Sequence, residues 1–173
     1  MYLFVAFLFT LGNSSNAFLL LRAKSVGFDD NNVILLYLIF NLTASILSIP
    51  LGRLSDRVGR KKLLVAGYFV FSAVYLGFAF ASSQFTIVIV FVLYGFYSAM
   101  ITGVERAFIA EISPVDLKGS MLGLHSTIVG IALLPSSVIA GFLWVRFGAS
   151  SPFLFGSVMS LLAAFILLLF MKN

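Results

Sequence analysis

The chain has 173 residues, of which 61% are hydrophobic and 10% are charged, and its formal net charge is +5. Soluble domains contain about 45–50% apolar and about 25% charged residues, so this composition excludes a soluble domain and indicates membrane lipid as the solvent. The basic residues lie in short segments between apolar runs, which is typical of membrane topology and not of nucleic-acid binding. The chain has no cysteine, which excludes disulfides and thiolate metal sites, and we predict neither a metal nor a cofactor.

Uncharged stretches predict the membrane spans, because a bilayer core of about 30 Å is crossed by roughly 20 apolar residues in a helix. The stretch 63–104 is about twice that length, and Ser82, Ser83 and Gln84 interrupt it, so it is interpreted as a helical hairpin. The sequence thus predicts an all-α membrane protein whose six transmembrane helices form a single domain. The predicted spans cover about residues 2–22, 32–51, 63–82, 85–105, 120–143 and 152–171.

Basic residues predict the orientation of these spans. Six spans place both termini on one side of the membrane, together with the segments 52–62 and 105–119. That side collects eight basic residues and the opposite side three, so the positive-inside rule predicts cytoplasmic termini in a multi-pass protein of the plasma (inner) membrane. The eight are Arg53, Arg57, Arg60, Lys61, Lys62, Arg106, Lys118 and Lys172, and the three are Arg22, Lys24 and Arg146.

Polar residues divide the spans into two groups of three. Four spans carry polar side chains at membrane depth, where such groups need partners or water, and these spans are expected to surround an interior or a wet cavity. The third and sixth spans are almost purely apolar and are expected to face lipid. The order polar, polar, apolar thus occurs twice, which indicates tandem three-helix units of the inverted-repeat kind found in transporters. The polar residues include Asn13, Asn16, Asn41, Tyr94, Tyr97 and His125.

The segment between the second and third spans carries a glycine–aspartate–glycine pattern followed by basic residues. Membrane topology explains the basic residues but not the spacing of the other three. The segment resembles the signature loop of the major facilitator superfamily, and its second glycine suits a tight turn with positive φ. The residues that carry this resemblance are Gly52, Asp56, Arg57, Gly59, Arg60 and Lys61, with Lys62 after them.

A second loop supports the resemblance. Glu105 and Arg106 end the predicted fourth span, and Ser113 to Asp116 have the spacing of a capping box before the fifth span. The family resemblance implies that charges on the two loops, those of Asp56, Arg60, Glu105 and Arg106, pair and lock a cytoplasmic gate in one state. The alternative is that Glu105 and Arg106 form an ordinary interfacial pair.

The resemblance covers the whole chain but only one half of the family's usual twelve spans. It implies a major facilitator half-bundle, a 3+3 inverted repeat, that works with a missing six-helix half in the same polypeptide, in a second copy or in a separate chain. The sequence around Asn13 and Asn16, and Gly-Phe-Leu-Trp at 141–144, are most similar to the C-terminal half of bacterial members.

Family resemblance also implies which residues line a central cavity, because the first and fourth spans of each half face it. The candidates are Asn13, Asn16, Tyr94 and Tyr97, with Asn41 and His125 as further candidates. The asparagines are as well explained by interhelical hydrogen bonds, and the tyrosines by packing. Histidine changes its charge near physiological pH, so His125 is a candidate for proton coupling or a structural residue near the cytoplasm. A coupling carboxylate is expected in the missing half.

The function predicted from these observations is secondary active transport of a small molecule by alternating access, with no enzymatic activity. A cavity of amides, hydroxyls and aromatic rings without fixed charge suits neutral or amphipathic solutes, so drug or metabolite efflux is the first hypothesis and sugar or nutrient uptake the second. A truncated, non-transporting membrane scaffold is an alternative. An intramembrane protease using Ser14 and His125 is disfavoured, because nothing marks an oxyanion site.

Overall fold

The computed structural model describes residues 1–170, and in that part the chain forms seven α-helices and one 3₁₀ turn. The helices make up six segments that are long and apolar enough to cross a membrane, with α1 and α2 sharing the first, so the predicted all-α fold with six spans is confirmed. Met171, the predicted end of the sixth span, and Lys172 lie outside the described residues. The elements are α1 Tyr2–Gly12, α2 Ala17–Ser25, α3 Asp30–Val58, α4 Arg60–Phe80, α5 Gln84–Ile112, the 3₁₀ turn Val115–Leu117, α6 Lys118–Phe147 and α7 Ser151–Phe170.

The first span is broken at its middle. α1 ends at Gly12 and α2 begins at Ala17, and Asn13 between them has the non-helical dihedrals φ −95° and ψ 79°. The four intervening residues are two asparagines and two serines, whose side chains compete with the helix for backbone hydrogen bonds. The break therefore follows from local sequence, and it exposes polar groups at membrane depth.

The other helix ends also follow local signals. The side chain of Asp29 accepts a hydrogen bond from the Asn32 backbone at the start of α3, and Ser83 accepts one from Thr86 at the start of α5. Gly59, with φ +97°, joins α3 to α4 as the sequence predicted. We call the end of the bundle that holds Tyr2 and Gly59 the basic end, and the other the opposite end.

The centre of the bundle is packed around α4. α1 contacts α7 so closely that a methyl group added at Gly12 would lie 2.6 Å from the Met159 Cβ. Between α4 and α7, the buried hydroxyls of Ser72 and Ser157 share a hydrogen bond of 2.7 Å. Small residues thus bring the helix backbones together, and buried hydroxyls pair across the contact, as expected where lipid provides no hydrophobic drive for association.

Burial differs sharply between the spans. In the most apolar 18-residue window of each span, 61% of residues are buried in α4 and 56% in α5, but only 17% in α3 and in α6. The third span, expected to face lipid because it is so apolar, is therefore the most buried one within this chain. The physical reason is that lipid tails and protein interiors are equally apolar, so composition does not separate the two surroundings.

At the opposite end, one arginine ties α2 to α4. The guanidinium of Arg22 donates to the backbone oxygens of Phe78, Ala79 and Ala81, at 2.8, 3.1 and 2.9 Å. The first two carbonyls belong to the last turn of α4, which has no basic residue of its own, and Ala81 is the C-cap residue that follows it. A cation at a helix C-terminus is favourable because it meets the negative end of the helix dipole. Arg22 therefore caps α4 from a neighbouring helix.

Candidate functional site

A cavity of about 500 Å³ lies between α1, α3, α5 and α6. Five of the six candidate cavity residues line it: Asn13, Asn16, Tyr94, Tyr97 and His125. Asn41 lies elsewhere, in a groove between α3 and α5, where its amide donates to the Tyr37 backbone oxygen at 2.7 Å. The structure thus brings together the polar residues of the first, fourth and fifth spans; their role in binding stays a prediction.

Two tyrosines orient the asparagines of the broken span. The Tyr94 hydroxyl donates to Oδ1 of Asn16 at 2.9 Å, and the Tyr75 hydroxyl donates to Oδ1 of Asn13 at 3.4 Å. Among the described residues, neither asparagine Nδ2 has a hydrogen-bond partner. With their oxygens occupied, the two amides present N–H donors to the cavity. The sequence did not single out Tyr75, because it lies in the span expected to face lipid.

At the basic end of this cavity, a carboxylate meets a tyrosine and the histidine. The Tyr2 hydroxyl donates to Oε1 of Glu105 at 2.9 Å, and Nε2 of His125 lies 3.3 Å from the same oxygen. The Glu105 side chain is 19% exposed and that of His125 is 9% exposed. α5 runs to Ile112, so Glu105 lies well inside the helix and not at its end. Tyr2 was not singled out in the sequence.

Fixed charges therefore lie on the cavity wall, contrary to the prediction of a cavity without them. Glu105, Arg106 and His125 all line it. Glu105 faces Tyr2 and His125, whereas Arg106 is exposed and has no ion-pair partner within residues 1–170. The wall of the cavity thus carries one carboxylate and one guanidinium beside the amide donors.

The signature loop forms a separate cluster, the Arg60 cluster, made of Asp56, Arg60 and Glu111. Arg60 donates to Oδ1 of Asp56 at 3.1 Å and to Oε2 of Glu111 at 3.0 Å, and it also reaches the Ala107 backbone oxygen at 3.3 Å. Arg60 thus pairs with Glu111 near the end of α5, which the sequence did not single out, and not with Glu105. The cluster ties α3 and α4 to α5.

The other signature residues surround this cluster without joining it. Arg57 is exposed, and Gly52 has no atom within 4 Å of an added Cβ. Lys61 lies with Lys62, Val65 and Leu168 around a shallow groove. The geometry therefore shows that Asp56 and Arg60 join the signature loop to α5 through the Arg60 cluster.

Comparison with known proteins places this geometry in a family. Residues 2–173 match the model of the Major Facilitator Superfamily. The chain is 37% identical over 174 residues to an uncharacterized MFS-type transporter of Methanocaldococcus jannaschii, covering 97% of this chain and 44% of that protein. It is 31% identical over 134 residues to Multidrug resistance protein 1 of Bacillus subtilis, covering 78% and 34%.

A more distant relative is the Riboflavin transporter of Clostridioides difficile, 26% identical over 115 residues, which cover 66% of this chain and 25% of that protein. The chain thus spans less than half the length of each of these relatives. Three observations indicate the same family. They are the six helical spans, the signature loop and the match over nearly the whole length of the chain. The chain belongs to the Major Facilitator Superfamily, and its fold is one six-helix half of that family's fold.

Proposed function

We propose that this chain is one half of a secondary transporter that moves a small molecule across the plasma membrane by alternating access. The observation that carries the proposal is the polar cavity between α3 and α6, the two poorly buried helices. A cavity with polar donors at membrane depth is costly unless water or a ligand satisfies it. The proposed activity needs no covalent step, and the excess of basic residues at the end that holds Tyr2 and Gly59 supports cytoplasmic termini.

We propose that a second six-helix unit covers the sides of α3 and α6 that this chain leaves exposed, which we call the bare faces. Among residues 1–170, no atom lies within 4 Å of a Cβ added at Gly52 on α3 or at Gly123 and Gly130 on α6, so these glycines serve no close contact in that part of the chain. A glycine in a helix interior costs about 1 kcal/mol relative to alanine, so a close approach from outside accounts for them. Relatives more than twice as long as this chain support the same partner.

Bulky residues on the bare faces test this partner. Gly123→Leu and Gly130→Leu are expected to leave the chain helical in detergent but to block assembly with the second unit and so abolish transport. The matched control is Leu162→Phe on α7, at an exposed position on the outside of the bundle. Full transport by both glycine variants would contradict the proposed packing of the two halves.

The Arg60 cluster is proposed to stabilise one of the two states of the transporter. It ties α3 and α4 to α5 through exposed groups, and a tie between helices that move relative to one another biases the equilibrium between conformations. Asp56→Asn should therefore impair transport by the complete protein without preventing insertion. Wild-type transport rates in that variant would exclude a role for the Arg60 cluster in gating.

Efflux of drugs or metabolites is the direction we propose first. It is supported by the likeness to a protein named as a multidrug resistance protein, and by aromatic rings and amides on the cavity wall. Uptake of a nutrient is the second candidate, supported by the likeness to a riboflavin transporter. Cells expressing the complete protein should lose preloaded ethidium faster than control cells under the first hypothesis, and accumulate riboflavin faster under the second.

The asparagines of the broken span test the site itself. Asn13→Ala and Asn16→Ala remove the N–H donors that face the cavity and are expected to weaken binding of the transported probe several-fold. Asn41→Ala is the matched control, because this asparagine bonds its own helix outside the cavity. Unchanged affinity in both cavity variants would exclude the first span from the binding site.

A further inference from the structure

A groove of about 320 Å³ lies between the start of α4 and the end of α7, at the basic end of the bundle. Two lysines, Lys61 and Lys62, line it together with two apolar residues, Val65 and Leu168. Lys62 is exposed, whereas Val65 is buried. The groove therefore combines cationic groups that reach solvent with an apolar wall.

Apolar side chains continue from this groove along both helices. Lys61, Val65 and Phe69 follow one another at intervals of four residues, which places them on one face of α4. On α7, Phe165 lies one turn before Leu168, and its ring meets the edge of the Phe69 ring with 5.6 Å between the centroids. Phe165 and Leu168 are each about half exposed. These four apolar residues form a strip, the apolar strip, that runs from the lysines towards the middle of the span.

The electrostatic surroundings of the groove are positive. The first turn of α4 holds three basic residues and no acidic one. In the part of the chain that the structure describes, no acidic side chain lines the groove. The carboxylates of Asp56 and Glu111 contact Arg60 in the Arg60 cluster instead. A ligand that enters the groove therefore meets the exposed ammonium group of Lys62, and the groove favours an anion.

The groove is separate from the two surfaces to which a function has been given above. The central cavity lies between α1, α3, α5 and α6, and the bare faces belong to α3 and α6. A second six-helix unit on the bare faces thus leaves the groove between α4 and α7 to the bilayer. Lysines near the ends of membrane spans hold their ammonium groups at the level of the lipid headgroups, while their stems lie beside the lipid chains.

We propose that the groove between α4 and α7 binds one anionic phospholipid, whose phosphate lies at Lys61 and Lys62 and whose acyl chain lies along the apolar strip. A lysine ammonium offers three N–H donors and a point charge, which suit a phosphate. A free phosphate would use the lysines but not the strip, and a zwitterionic lipid would use the strip without the net charge. The groove lies at the end with the excess of basic residues, which matches the anionic cytoplasmic leaflet.

Native mass spectrometry of the full chain in detergent tests the headgroup part of this site, because it counts bound lipids one at a time. The first dioleoylphosphatidylglycerol is expected to bind more tightly than the first dioleoylphosphatidylcholine. Lys62→Gln should weaken the binding of that phosphatidylglycerol about fivefold, since one lysine beside anionic lipid contributes about 1 kcal/mol. Lys118→Gln is the matched control, because it removes the same exposed group at the same end from α6, and its binding should equal that of the wild type.

Leu168→Ser tests the acyl-chain part of the site and should also weaken the binding of phosphatidylglycerol. Leu169→Ser is its control, because Leu169 is exposed at the same depth but is turned about 100° around α7. Equal binding by Lys62→Gln and the wild type would overturn the site, and so would equal binding by the two leucine variants. The measurement uses no transported molecule, so absence of ethidium or riboflavin transport would overturn the proposed function and leave this result standing.

Discussion

The packed side of the bundle, formed by α1, α4, α5 and α7, and the bare side, formed by α3 and α6, are almost equally apolar but differ in burial. Their glycines differ in the same way. A Cβ added at Gly12 or Gly156 on the packed side would collide with the facing helix, whereas one added at Gly123 or Gly130 on the bare side would meet no described atom within 4 Å. The comparison teaches that neither apolar character nor a glycine distinguishes the two sides, and that only the neighbours of a residue show whether it serves a contact within the bundle.

Replacing Gly156 by alanine is expected to have the largest effect on stability, because it disrupts the packing of the packed side. The added methyl group would collide with the Gly12 backbone oxygen and lie 2.6 Å from ring atoms of Tyr75. Overpacking of this kind is expected to lower the free energy of unfolding by roughly 1–3 kcal/mol. The measurement is unfolding in detergent, followed by the fluorescence of Trp144, the single tryptophan.

Gly123→Ala on α6 is the control for this change. An alanine there meets open space and gains helix propensity, so the stability should stay the same or rise slightly. Equal destabilisation by the two substitutions would mean that the contrast between the two sides is wrong.

Arg22→Ala should have the next largest effect, because it removes the cap that α2 provides to the last turn of α4. Hydrogen bonds from a charged group contribute about 1.5–3 kcal/mol when they are buried, and partial exposure of Arg22 puts the expected loss on the order of 1.5 kcal/mol. Lys24→Ala, which removes an exposed ion pair with Asp30, should change the stability by less than about 0.5 kcal/mol. Urea-induced unfolding of both variants in detergent provides the comparison, and a larger loss in the lysine variant would refute it.

A smaller effect is expected for Ser72→Ala, which leaves the Ser157 hydroxyl without its partner between α4 and α7. The cost should be about 1 kcal/mol, the usual contribution of one buried hydrogen bond. On the bare side, Ser126 bonds only the Leu122 backbone oxygen of its own helix, and Ser126→Ala should be neutral. Thermal unfolding of the two variants checks the difference, and equal melting temperatures would contradict it.

Glu111→Gln should have the smallest effect on stability, because the Arg60 cluster joins the two sides through exposed groups. Such ion pairs contribute about 0–1 kcal/mol. The remaining difference between variant and wild type should vanish near 1 M salt, where the Debye length is about 3 Å. Unfolding measured at low and high salt tests this, and a difference that persists at high salt would show that the cluster acts by more than charge.

The number of spans was predictable because uncharged runs and basic loops are local properties of the sequence. Burial was not. α4 is as apolar as a lipid-facing helix, and only its partners reveal that Tyr68, Phe71 and Tyr75 are buried against protein. Hydropathy measures the transfer of a side chain out of water, and it has no term for whether lipid or protein replaces the water.

The residues of the candidate site likewise divide into those that could be identified from the sequence and those that could not. Asn13, Asn16, Tyr94 and Tyr97 could be found because polar side chains are rare at membrane depth. Tyr2 could not be tied to Glu105, since 103 positions separate them in the sequence. Glu111 could not be tied to Arg60 either, since 51 positions separate them.

The break in the first span has a consequence for the order in which the protein is assembled. α1 and α2 are about 16 and 14 Å long, so neither crosses a bilayer core of about 30 Å alone. The interruption at Asn13 and Asn16 is sheltered by Tyr75 and Tyr94, which the ribosome makes later. The nascent first span must therefore stay straight, or shield its own backbone, until α4 and α5 have emerged. This span therefore reaches its final shape only after α4 and α5, which are made later.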